Sequence, residues 1–182
     1  MPTASNVSTG KPKVAGAVYR APAGTTLPTD ATTALAAAFE DMGYISEDGV
    51  TNSNSPNSDK IKEWGGSTVL VVVNNKEDSF KLTFLESLNA DVLKTVYGDS
   101  NVTEGTGTIS VVANSAALTE HVYVIDMVMG GALKRIVIPA GSLSELGDIV
   151  YKASEAVGYE VTLECLPDSS GNTHYEYIKL AT

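Results

Sequence analysis

The feature that most limits how this chain can fold is a change of character around residue 67. From Thr51 to Gly66 the side chains are mostly polar or small, and then Thr68-Val69-Leu70-Val71-Val72-Val73 runs apolar and largely β-branched. Branched side chains suit a pleated sheet and are stiff in a helix, so this run predicts a strand. Its continuity is the pattern of a strand covered on both faces. The polar stretch opens at Gly43-Tyr44-Ile45-Ser46-Glu47-Asp48-Gly49-Val50 and closes at Trp64-Gly65-Gly66. Residues 44–66 therefore read as a long loop anchored by Tyr44 and Ile45 at one end and Trp64 at the other. Long loops in compact domains tend to be functional or disordered.

Beyond that strand, Asn74 to Asp78 reads as a polar turn and Ser79 to Glu86 as a strand pairing back. Phe80, Leu82 and Phe84 share one face of it, Lys81 and Thr83 the other. Ser87 is placed to cap a helix in which Leu88, Val92, Leu93 and Val96 repeat at helical intervals and Gly98 forms the stop. Further strands are expected over residues 108–113, 120–129, 132–139, 145–152, 158–166 and 173–181. Gly130-Gly131 and Asp168-Ser169-Ser170-Gly171-Asn172 are the turns between neighbouring runs. Upstream, residues 1–13 read as a flexible N-terminal arm and Val14 to Ala21 as a first strand. Thr32 to Met42 is either a short helix capped by Asp30 or an extended strap. Many short strands with one clear helix describe a mainly β chain, a β-sandwich or squashed barrel with one flanking α-helix, in a single domain over 14–182.

At 182 residues such a domain buries enough surface to stand without disulfides or metals. No apolar run, Val69 to Val73 included, is long enough to span a bilayer, and the N-terminus has neither the basic cluster nor the apolar core of a secretory signal, so cytoplasmic synthesis is expected. Cys165 falls in phase with Val161 and Leu163 and reads as a core side chain. Net charge is −10, and the imbalance is uneven: residues 1–66 carry five basic and seven acidic side chains, residues 67–182 seven and fifteen. No basic cluster exceeds Lys134-Arg135, so tight binding to nucleic acid is not expected. The acidity either serves solubility or lines a path for another polyanion.

The residues of catalysis are absent in any recognisable pattern. His121 and His174 lie apart from Cys165 and from each other, at strand edges, and read as surface residues. Gly105-Thr106-Gly107 is too short for a phosphate loop and precedes a strand. No nucleophile elbow surrounds a serine. Glu40-Asp41, Glu47-Asp48 and Glu77-Asp78 are adjacent in sequence, so their side chains point apart and do not share a proton or a metal. Asp126, alone in an apolar strand, reads as a solvated edge residue or as a group facing a channel. A carbohydrate-binding sandwich would instead use exposed aromatics such as Tyr123, Tyr175 and Tyr177 as a platform. Neither an enzyme nor a cofactor is expected.

Taken in order, Tyr19-Arg20-Ala21-Pro22-Ala23-Gly24-Thr25, the Gly43 to Val50 turn, Trp64-Gly65-Gly66, the strand Phe80 to Glu86, the helix ending Tyr97-Gly98 and the strand Gly158-Tyr159-Glu160-Val161-Thr162-Leu163 resemble the tail tube (major tail) proteins of long-tailed bacteriophages. The resemblance covers residues 14 to the C-terminus. It implies a structural virion protein forming stacked hexameric rings, with the long loop and N-terminal arm reaching the next ring. It also implies tape measure, tail terminator and distal tail proteins as partners, and DNA passing through without specific binding. No immunoglobulin-like surface domain is expected, since the chain ends at Thr182. Tyr44, Ile45 and Trp64 are then candidates for ring stacking, and Glu77, Asp78, Glu86 and Asp126 for the lumen. A tail terminator, or the tube subunit of a secreted injection system, is the alternative within the same fold.

Overall fold

Two glycines at 130 and 131, with φ of 57° and 95°, turn one long strand back on another. Positive φ at both central residues is what a two-residue hairpin loop matched to strand twist requires. In this computed structural model, which describes residues 3–14 and 16–181, the pair is β8 (His121–Met129) and β9 (Ala132–Leu146). Everything else is arranged around it. The free edge of β8 takes β2 (Val18–Pro22) along its first half and β1 (Gly10–Pro12) along its last residues, Met127 to Met129. β3 (Glu40–Asp41) pairs with β2. Part of the expected N-terminal arm is thus a strand, while Met1 and Pro2 lie outside the described residues.

β9 is long enough to serve two partners on its other edge. β11 (Tyr175–Lys179) pairs with Leu133 to Val137, and β10 (Tyr159–Cys165) with Gly141 to Leu146. Beyond β10 come β5 (Thr68–Phe84) and then β4 (Thr51–Lys62), giving the order β3-β2-β8-β9-β10-β5-β4. The sheet does not close into a barrel. Its two halves fold over one core, in which Val18, Tyr123, Ile125, Ile136 and Ile138 of one half meet Phe80, Leu82, Phe84, Tyr159, Val161, Leu163 and Cys165 of the other. This is the expected β-sandwich with one helix.

The helix α1 (Ala90–Tyr97) lays Val92, Leu93 and Val96 onto this core. Its cap is Asn89, whose side chain accepts from the Asp91 N–H at 3.0 Å, not Ser87. Leu88 consequently falls before the helix and is exposed. Gly98, at φ 97°, ends it as expected. A separate two-stranded sheet follows, β6 (Val102–Gly105) with β7 (Thr108–Val111).

Residues 25–39 form no helix. They cross as a strap over the second face of β8 and β9, burying Ala31. The reason is where the strap's polar groups go. Asp30 accepts from the backbone N–H groups of Thr32 and Thr33, and the carbonyls of Asp30 and Thr33 accept from Arg135 Nη1 at 3.1 and 2.8 Å. Helix propensity in an Ala-rich run is a weak preference that such tertiary bonds override.

One face of the sheet is left open. Along β5 and β10 the register pairs Glu164 with Ser79, Thr162 with Lys81 and Glu160 with Thr83, and β9 adds Ser142 and Glu145 beside them. Alternation sends these outward while Phe80, Leu82, Phe84, Val161 and Leu163 point into the core. The open face is therefore polar and acidic, with Lys81 held by Glu160 at 2.9 Å.

Candidate functional site

The largest departure from the expected fold is the long loop, because most of it is a strand. β4 pairs with β5 over the whole of its own length, from Thr51 opposite Lys81 to Lys62 opposite Thr68. The expected turn at residues 74–78 is likewise part of β5, with Asn74 accommodated as a bulge opposite the Asn57–Ser58 step. The outcome is a two-stranded arm that projects from the body. From Thr68 to Glu77 every residue of β5 is exposed, and burial begins abruptly at Asp78. The expectation that Thr68 to Val73 is covered on both faces is reversed in the single chain: Val69, Leu70, Val71 and Val73 are 51–62% exposed.

The arm is polar along its outer edge, as an unpaired edge in water must be. β4 carries Ser, Asn, Pro56 and lysines there, which discourages indiscriminate strand addition. Its tip is a turn closed by Glu63 N–H to the Ser67 carbonyl at 2.9 Å and Gly66 N–H to the Glu63 carbonyl at 2.8 Å. Trp64 stands on this tip at 105% relative exposure. A large indole fully in water at the end of an apolar ribbon is an unsatisfied contact.

The other two candidate interface residues lie at the root. Ile45 bridges Phe84 and packs against the core. Tyr44 is exposed, with its N–H held by Glu86 Oε1 at 3.0 Å and its carbonyl accepting from Leu85 N–H at 2.9 Å. The twelve residues of β4 set root and tip roughly 40 Å apart at ~3.3 Å per residue, so Tyr44 and Ile45 do not form one patch with Trp64.

The four acids singled out for a channel wall divide. Glu77 is exposed and falls on the open face, in phase with Ser79 and Lys81. Glu86 is half-buried at the root, where it accepts from Tyr44 N–H and from Asn89 Nδ2 at 3.1 Å. Asp78 points the other way and is 2% exposed. It accepts from Asn52 Nδ2 at 2.9 Å, Thr173 Oγ1 at 2.5 Å and the His174 ring at 2.5 Å. Burial pushes its carboxyl upward, and these hydrogen bonds outweigh burial to leave it below the ordinary range. Asp126 is no solvated edge residue: it is 4% exposed and paired with Arg135.

Other expectations are corrected in the same way. His121 is buried, with Nε2 3.0 Å from Asp99 Oδ2, and His174 is nearly buried on Asp78, so neither is a surface histidine. Arg20, on the helix side of β2, donates to Thr95 Oγ1 at 3.0 Å and to Asp99. Tyr123 is 2% exposed, so no aromatic platform includes it. Tyr175 and Tyr177 do stack, with ring centroids 6.3 Å apart. Cys165 is buried, and desolvation pushes its thiol up to about 12. Among the described residues no group of three or more His, Cys, Asp or Glu is placed to hold a metal ion, and no helix is long and apolar enough to cross a membrane.

The geometry brings together a projecting ribbon with uncovered apolar side chains, a latched root, and an open acidic sheet face. A family model described as "Phage tail tube protein" matches residues 10–182. A comparison with curated proteins finds no match.

Proposed function

The chain belongs to the phage tail tube protein family, and we propose that six copies close into a ring, that rings stack through the projecting arm, and that the resulting tube conducts DNA into the host. The observation that carries this is the arm, with Trp64 at its tip and Val69 to Val73 in water. An exposed apolar ribbon of this size is a liability in a free chain and an asset in one whose working state is a polymer. Trp64 makes the far contact with the next ring, while Tyr44 and Ile45 fix the angle at which the arm leaves the body.

The open face of β9, β10 and β5 suits the wall of a bore. Glu77, Glu145, Glu160 and Glu164 face one way, with Lys81 already neutralised by Glu160. Each free cation on such a wall would release counterions from passing phosphates and slow the duplex, whereas carboxylates repel strands within about 8 Å, the Debye length at physiological salt. Glu77 and Glu86 remain wall candidates, while Asp78 and Asp126 are committed to internal partners. The remaining contacts of a tail tube, with tape measure, terminator and distal tail proteins, fall at the inside and the two ends of the polymer.

Two variants test the reading. Trp64→Ala removes the tip contact, and joining Ser55 to Glu77 through a two-residue turn shortens the arm at a paired row. Both should fold and fail to form tubes by electron microscopy. Normal tubes from both would refute the role of the arm, and closed single rings from the wild-type chain would point to a terminator instead.

A further inference from the structure

The outer half of the arm has two faces, and neither is covered. The rows Ser58–Val73 and Lys60–Val71 present one face, and Asp59–Val72 and Ile61–Leu70 present the other. Val71 and Val73 are 51% and 62% exposed on the first, and Ile61, Leu70 and Val72 are 50%, 53% and 37% exposed on the second. The principal strands of the body, β2, β8, β9, β10 and the inner part of β5, each turn one face to the core. A two-stranded ribbon standing alone is marginal in water, and laying it on a single surface would leave the opposite row of branched side chains wet.

Charge says what kind of surface covers it. Residues 51–77 hold Lys60, Lys62 and Lys76 against Asp59, Glu63 and Glu77, so the arm is neutral and the whole excess of ten acids lies on the rest of the chain. Seven of the twelve basic residues sit in ion pairs on the body: Lys13, Arg20, Lys81, Lys94, Lys134, Arg135 and Lys152. Among the described residues the three lysines of the arm make no ion pair. A neutral ribbon with uncovered apolar side chains and free lysines can lie against another, acidic copy of the chain without like-charge repulsion. Its balanced charge fits neither a nucleic acid nor an anionic lipid surface.

Resting on the tube reading above, we infer that the arm is sandwiched: other copies of this chain cover both of its faces in the assembled state. Each arm therefore works as a wedge between surfaces and not as a strap laid over one.

Thiol accessibility tests this on the full chain. Single cysteines replace Val71 or Val73 on one face and Ile61 or Leu70 on the other, all exposed in the free chain, while buried Cys165 gives little background. Maleimide labelling is timed on dilute unassembled protein and on tubes. Labelling should slow at least tenfold on assembly at positions on both faces. Slowing confined to one face would overturn the sandwich while leaving the arm as the stacking element. No slowing on either face would overturn both. Should a cysteine variant fail to assemble, Leu70→Ser and Val71→Ser give a second measure: each alone should raise the critical concentration for tubes, and insensitivity to one of them would contradict two-sided burial.

Discussion

Arg135 grips Asp126 through two parallel hydrogen bonds, Nε to Oδ1 and Nη2 to Oδ2, both 2.7 Å. The residues lie opposite one another across the Gly130-Gly131 hairpin, and both are almost fully buried. With Nη1 the same guanidinium binds the carbonyls of Asp30 and Thr33, so one side chain ties the strap to the sheet. The contact with Asp126 holds the guanidinium above its ordinary range, the hydrogen bond outweighing burial.

Removing one partner strands a buried charge and frees the strap. Arg135→Met or Asp126→Leu should each destabilise the chain by about 3–5 kcal/mol, and the double variant Arg135→Met/Asp126→Leu should recover most of that loss. Chemical denaturation of the three variants checks it. Additive losses in the double variant would show that the pair is not acting as a unit.

Acid should destabilise the fold through two carboxylates, Asp78 at the base of the arm and Asp99 after α1. Asp78 and Asp99 are each pushed up by burial and brought below the ordinary range by their partners, Thr173, Asn52 and His174 for the first and Arg20 and His121 for the second. A carboxyl depressed in the folded state binds its proton more readily once unfolded. Its stabilising contribution is present above the unfolded value, about 3.9, and is lost as pH falls through the lower folded value. Urea midpoints should therefore drop below about pH 4, and Asp78→Asn should show a shallower drop than the parent.

Gly43 occupies φ 71°, and a Cβ there would clash with the Glu86 carboxyl group. Gly43→Ala should cost more than about 1 kcal/mol through backbone strain and displacement of the carboxylate that holds Tyr44. A thermal midpoint unchanged from wild type would show that the root relaxes freely.

Core and tip should respond oppositely to truncation. Leu163→Ala, fully buried in β10, should cost about 2–5 kcal/mol of stability. Trp64→Ala, at an exposed tip, should change monomer stability by no more than about 0.5 kcal/mol while abolishing tubes. Calorimetry on dilute protein separates the two effects.

The elements that were legible in the sequence are those with a period of their own. The Val92, Leu93, Val96 stripe ending at Gly98 announces α1, and Gly130-Gly131 announces the central hairpin. β4 was not legible because Thr51 to Lys62 has neither alternation nor β-propensity. It is a strand because the Val-rich β5 lies beside it, a property of the neighbour and not of the segment. Two signals in the candidate site were available. Asp78 has the same parity as Phe80, Leu82 and Phe84, which places it inward once the supposed turn is read as continuous strand. Asp126 and Arg135 are equidistant from the hairpin turn, which makes them cross-strand partners. Nothing in the pattern of single residues foretold that Arg135 would also claim the strap, since that contact spans more than a hundred positions.

The central claim is that this chain is built to be a tube subunit held to its neighbours by the arm. Cryo-electron microscopy of the purified, concentrated protein tests it most directly. The account predicts open-ended tubes of six-membered rings, with each Trp64 buried against another copy and Glu77, Glu145, Glu160 and Glu164 facing the bore. Tubes in which the arm and Trp64 remain in solvent, or a wall lined by lysine and arginine, would contradict it.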